Sequence, residues 1–147
     1  ITRLANDERM KKTLFVVAGL SKSQTKKMPV NVLSVGYIKK RECMNSLYSI
    51  ADVFLNPTLE EVFGLVNVES MMNGTPVIVF NVGGCSEIIT DDTGLIVDKD
   101  NYNCLAEAVL SLSKTKSISE ACKKRSTFFS CDIMCDKYLE IYESFKK

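Results

Sequence analysis

Five short runs, Leu14–Ala18, Val32–Val35, Asp52–Asn56, Pro76–Phe80 and Gly94–Val97, are rich in β-branched and aromatic residues, and each closes on glycine, proline or a polar cluster. Their apolar content is nearly continuous rather than alternating, which predicts strands covered on both faces in a parallel sheet. Segments of helical composition lie between them: Lys40–Ala51, Gly64–Asn73, a short one beginning near Cys85, and Tyr102–Leu112. This alternation predicts an α/β fold built on an open, doubly wound parallel sheet. Two more helices, Ile118–Phe129 and Asp132–Phe145, are expected to pack over one side of it at the end of the chain.

A chain of 147 residues, 46% of them apolar, buries one core and is too short for two ordinary domains, so residues 1–147 read as a single domain. Nineteen basic residues against eighteen acidic ones gather no polyanion, which speaks against nucleic acid as a partner. The longest apolar stretches, such as Leu14–Leu20, are far shorter than a bilayer-spanning helix, and no signal-peptide pattern opens the chain. A soluble, cytoplasmic protein is expected. Ile1–Lys12 is charged and reads as helical, and Lys22–Lys27 reads as a solvated loop. The start at Ile1 reads as a cut from something longer.

The six cysteines include no C-x-x-C pair and read as reduced packing thiols. Cys131 and Cys135 share a helix face, but without histidine or a second cysteine pair they make a weak metal half-site, and no metal is expected. The absence of histidine also removes the usual general base near neutral pH, so a complete catalytic apparatus needs residues from elsewhere.

The chemistry concentrates between Asn56 and Glu87. A strand ends at Asn56-Pro57, a polar turn carries Glu60 and Glu61, and Phe63-Gly64 opens a helix that carries Glu69. The amides of Phe63, Gly64, Leu65 and Val66 would lie unpaired at the positive end of that helix, which favours a phosphate group. Glu61 and Glu69 would flank the same ligand, and a carboxylate accepts two hydroxyl hydrogen bonds at once, as sugar or ribose diols require. Taken singly, Glu61 reads as a partner of the helix dipole and Glu69 as a solvated helix residue.

Taken together, Glu61-Val62-Phe63-Gly64-Leu65-Val66-Asn67-Val68-Glu69 matches the E-x7-E motif of retaining glycosyltransferases of the GT-B type, and resembles most closely their large family-4 group. The resemblance extends upstream to Tyr48 and downstream through Gly74-Thr75-Pro76, Gly83-Gly84 and Glu87 to Thr93-Gly94-Leu95-Ile96-Val97. It implies the Rossmann-like C-terminal half of a GT-B fold, binding a UDP- or GDP-sugar across a cleft from a separate N-terminal acceptor domain. By carry-over, Glu61 would face hydroxyls of the transferred sugar and act in catalysis. Glu69 would hold the ribose, and the amides of Gly64, Leu65 and Val66, next to Phe63, would meet the diphosphate or sugar. Gly83 and Gly84 resemble the glycine pair lining the sugar pocket, although a plain turn also uses two glycines. Tyr37 and Ile38, after the second strand, stand where similar enzymes pass backbone groups along the base; as an alternative, Tyr37 is an ordinary rim aromatic. Glu87 reads equally as a cap of the helix that follows.

The resemblance further implies transfer to an acceptor hydroxyl with retention and no metal cofactor, helix amides and basic residues taking the departing charge. Glu61 is not expected to be a covalent nucleophile, because the two-carboxylate scheme of retaining glycosidases does not transfer to this fold. Polysaccharide or glycan synthesis follows from the habit of the family. The acceptor would be a glycan or a lipid-linked sugar, and peripheral membrane association of a longer protein would reside in the acceptor domain.

Two departures stand out. Val62 occupies a position where many relatives carry a small residue, and the family's first strand, with an arginine and a lysine that neutralise the diphosphate, has no counterpart. Arg3 and Arg9 are tempting substitutes, but Arg9 is followed too soon by the Leu14 strand to leave room for the intervening helix. Loss of two charge-assisted contacts, each worth roughly 1.5–3 kcal/mol, would weaken donor binding by powers of ten and leave the piece inactive unaided. The rivals are a nucleotide-sugar epimerase or sugar phosphorylase on the same architecture, and a truncated, non-catalytic binding module.

Overall fold

The computed structural model describes residues 1–99 and 101–145, and every strand pairing among them is parallel. The chain falls into two compact units, Ile1–Ser46 and Leu47–Lys147.

In the first unit α1 (Thr2–Ala5) and a 3₁₀ turn (Glu8–Met10) lead into β1 (Phe15–Ala18), α2 (Lys22–Thr25) and β2 (Val32–Gly36), which pairs with β1. Leu4, Ala5, Met10 and Phe15 are its buried apolar residues. Asn31 ties the unit together, its amide nitrogen donating to the carbonyls of Ala5, Met10 and Thr13 at 3.1–3.3 Å.

Two expectations fail here. Ile1–Lys12 is not one helix, because the Asp7 side chain accepts from the Arg9 amide at 2.9 Å with its own backbone extended, which restarts the chain as a 3₁₀ turn. Nor is Lys22–Lys27 a loop: Ser21 and Gln24 close a capping box that nucleates α2.

In the second unit, which begins within α3 (Arg41–Ile50), β3 (Phe54–Asn56), α4 (Leu65–Met72), β4 (Val77–Phe80), α5 (Cys85–Ile88), β5 (Gly94–Val97), α6 (Tyr102–Ser111), α7 (Lys116–Ser126) and α8 (Cys131–Ser144) follow. The strand order is β3-β4-β5. All four residues of β4 are buried, as the unbroken apolar run predicts for a central strand covered on both faces. Val77 and Val79 pack with Val68 and Met71 of α4, Cys85 and Ile88 of α5 and Cys122 of α7. By strand alternation Ile78 and Phe80 face the other way, and they are buried too. A Cβ at Gly94 would stand 2.0 Å from the Val77 carbonyl oxygen, so only glycine lets β5 start this close to β4.

The Rossmann-like α/β architecture is thus present, with boundaries trimmed by a residue or two and with the strands in two parallel sheets, β1-β2 and β3-β4-β5, rather than in one. The final helices begin earlier than expected because Thr115 and Ser130 cap them through their hydroxyls. All six cysteines are free, as expected, but the packing role is corrected: only Cys85 and Cys122 are buried, while Cys43, Cys104, Cys131 and Cys135 lie exposed on helices.

Candidate functional site

The turn from β3 into α4 is shaped by its own polar groups. The Thr58 hydroxyl donates to the Glu60 carbonyl at 2.8 Å, and the Glu61 carboxylate accepts from the Val62 amide at 3.0 Å. Gly64 caps α4 in the left-handed region at φ 88°, where a side chain would also press on the Asn67 amide. The first hydrogen bond of the helix runs from the Asn67 amide to the Gly64 carbonyl at 2.9 Å. The Leu65 and Val66 amides ahead of it have no acceptor within the helix, and they point along the positive end of its dipole. Phe63-Gly64 therefore stands at a helix start, as the sequence predicts. The Phe63 ring packs edge-on against Phe129 at 5.6 Å, turned toward the core cluster.

The second glycine turn lies against the first. Gly84 donates its amide to the Val62 carbonyl at 2.9 Å, and a Cβ on Gly84 would come within 2.6 Å of that same oxygen. At Gly83 an added Cβ would collide with the Glu61 carbonyl. Both glycines are thus required by backbone-to-backbone approach, and the Gly84 amide is already engaged. Glu61, Phe63, Gly64, Leu65, Val66, Gly83 and Gly84 come together here, with the half-buried Glu69 one turn further along α4. Tyr37, 82% exposed, and the half-buried Ile38 follow β2 in the first unit. Glu87 lies in α5, where its amide donates to the Gly84 carbonyl at 3.1 Å; Glu87 makes no cap through its side chain.

Sequence reasoning missed the support beneath these turns. Asn67 is fully buried; its amide oxygen accepts from Asn56 at 3.0 Å, and its nitrogen lies 3.6 Å from the Cys85 sulfur. One side chain thereby joins the end of β3, the first turn of α4 and the start of α5. The signal was a single polar residue on the apolar side of Leu65-Val66-Asn67-Val68, since an unpaired amide would not be tolerated there. Burial pushes the Cys85 thiol above its usual range; the Asn67 amide opposes the rise and the Glu61 charge adds to it. Cys85 is therefore a packing thiol, not a nucleophile.

Of the two arginines that could replace the family's cations, Arg9 is engaged within its own turn. Arg9 grips the Asp7 carboxylate with two nitrogens at 3.0 and 2.7 Å. Among the described residues no group of three or more His, Cys, Asp or Glu is placed to hold a metal ion, Cys131 and Cys135 included. No helix among them is long and apolar enough to cross a membrane.

Comparison with known proteins bears on the family and the fold. The chain is 32% identical over 108 residues to the capsular polysaccharide biosynthesis glycosyltransferase CapM of Staphylococcus aureus, covering 69% of this chain and 28% of that protein. It is 35% identical over 91 residues to a GDP-mannose-dependent alpha-(1-6)-phosphatidylinositol dimannoside mannosyltransferase of Mycobacterium tuberculosis, covering 61% of this chain and 24% of that one. The structure superposes on sucrose-phosphate synthase from Thermosynechococcus elongatus with a TM-score of 0.75 at 25% identity, over 97% of this chain and 41% of the other. The chain thus spans about a quarter of the length of these two sequence relatives. The pattern of the family described as glycosyl transferases group 1 matches residues 3–127, most of the chain, and the chain belongs to that family.

Proposed function

We propose that this chain is the donor-binding part of a retaining glycosyltransferase, moving a hexose from a UDP- or GDP-sugar to a hydroxyl of a glycan or lipid-linked acceptor in polysaccharide synthesis. The observation that carries this is the open amide end of α4 at Gly64-Leu65-Val66, with Glu61 just before it and Glu69 within it. In this reading the amides take the charge that develops on the departing diphosphate, in place of a metal. Glu61 binds hydroxyls of the transferred sugar, Glu69 accepts from the ribose diol, and Tyr37 and Ile38 serve the base. The acceptor is held by a domain beyond these residues, which also provides any peripheral attachment to a membrane. The mannosyltransferase and CapM relatives support a nucleotide-sugar donor and a polysaccharide product.

Glu61 provides the test. In the protein that carries this chain, Glu61→Ala is expected to lower turnover by about two orders of magnitude or more while nucleotide affinity stays nearly constant. Equal loss of both would move Glu61 from the sugar to general binding. A second reading, a binding module without activity, draws on Arg9, whose guanidinium is held by Asp7 rather than turned to a diphosphate. On either reading the 147-residue chain alone gains only slight thermal protection from nucleoside diphosphates and transfers no sugar.

A further inference from the structure

Tyr48, near the end of α3, is 4% exposed, its ring set edge-on against Phe54 at 5.2 Å. The backbone around it is tightly held. The Thr75 hydroxyl donates to the Tyr48 carbonyl, and Lys114 Nζ donates to the Ser49 carbonyl at 2.6 Å and to the Thr75 hydroxyl at 3.0 Å. Ser49 also bonds the Asn73 side chain at 3.4 Å, and the Asn73 amide donates to the Glu69 carbonyl at 2.9 Å. The end of α3 is therefore fixed against the end of α4, beside Glu69.

Among the described residues, Tyr48 Oη is the one buried side-chain nitrogen or oxygen without a hydrogen-bond partner. A phenylalanine would fill the same space without stranding a hydroxyl, so the oxygen at this position calls for a use. Burial pushes the phenol up to about 12, and the negative charge of Glu69 adds to the rise, so the hydroxyl keeps its proton and remains a donor at any physiological pH. A hydrogen bond toward Glu69 raises the phenol further, yet the hydroxyl meets the distance and angle of a full hydrogen bond with no partner, so the pair stands close but unclosed.

We infer that Tyr48 is a positioning residue for Glu69, its buried hydroxyl being the donor that fixes the Glu69 carboxylate when that carboxylate takes a vicinal diol of the ligand. The inference rests on the proposed ribose-binding role of Glu69. With one carboxylate lone pair held by Tyr48, the outward pairs of both oxygens remain directed at two neighbouring hydroxyls. Without it the side chain must be ordered by the ligand itself, which lowers affinity.

The test is calorimetric titration of the protein that carries this chain with uridine and guanosine diphosphates and with their 2′,3′-dideoxy analogues. Tyr48→Phe is expected to keep the thermal midpoint and to weaken the better ribonucleotide about tenfold, leaving its dideoxy analogue unchanged, because the hydroxyl acts only through the diol. Equal weakening of both nucleotides, or of neither, overturns the inference. Glu69→Gln separates it from the reading beneath: loss of ribonucleotide affinity in Glu69→Gln with none in Tyr48→Phe removes Tyr48 alone. No loss in Glu69→Gln, or no binding of either diphosphate, removes the ribose role of Glu69 and Tyr48 with it.

Discussion

Asn67 uses both ends of its amide, one toward Asn56 and one toward Cys85, and it stands where the Gly64 turn leaves no room for more. Asn67→Leu keeps the volume but strands the Asn56 amide and removes the brace between the two glycine turns. A loss of about 1–3 kcal/mol is expected, read as a lower urea midpoint at an unchanged slope. Glu61 and Glu69 were legible in advance because their spacing about a helix start is a local property of the sequence. The service of Gly83 and Gly84 was legible only as two alternatives, since what fills the space beside them is the Glu61-Val62 backbone, twenty-two residues upstream of each. The pairing of Tyr48 with Glu69 was farther from notice still. Nothing in either residue's neighbourhood announces that two chain segments place a phenol beside a carboxylate.

At the scale of elements, the strands and most helices followed from apolar runs and their punctuation, because β4 is buried on both faces and its neighbours pair with it in parallel. The errors in the first unit came from short polar motifs. Asp7 and the Ser21–Gln24 box set structure through single hydrogen bonds rather than through periodicity. What no local pattern shows is how the ends of short helices are satisfied. α5 has only four residues, and its closing carbonyls at Glu87 and Ile88 accept from Arg125 of α7 at 2.5 and 3.0 Å. The guanidinium also lies over the Phe129 ring at 4.9 Å. It thus serves as a C-terminal cap for α5 supplied by a distant helix. Arg125→Ala is expected to cost roughly 1.5–3 kcal/mol, and amide exchange should speed up first at the α5 turn that carries Gly84 and Cys85. Arg125→Lys restores the charge but not the two-pronged geometry, so it should recover only part of that stability.

Over the whole molecule the six thiols report separately on surface and core. Cys43, Cys104, Cys131 and Cys135 are exposed, whereas Cys85 and Cys122 lie in the cluster between β4, α4, α5 and α7. A thiol reagent should therefore label four cysteines in the native chain and the remaining two only on unfolding. The same burial couples stability to pH. Removal from water, helped by the Asp92 charge and opposed by Lys114, pushes the Cys122 thiol up from 9.0 to about 11. The folded state thus holds its proton to higher pH than the unfolded state does. Between about pH 9 and 11 the unfolded chain binds fewer protons, and the slope of stability against pH is negative. The contribution is fully present below 9 and is lost as pH rises through about 11, at no more than about 1.4 kcal/mol per pH unit for one thiol. The informative quantity is the difference between the parent chain and Cys122→Ala. The substitution lowers stability at neutral pH by leaving a small cavity beside Ile88 and Val79, and the gap between the two chains should then close as pH rises above 9. A gap that stays constant to pH 11 would show that the Cys122 thiol ionises as readily in the folded chain as in the unfolded one.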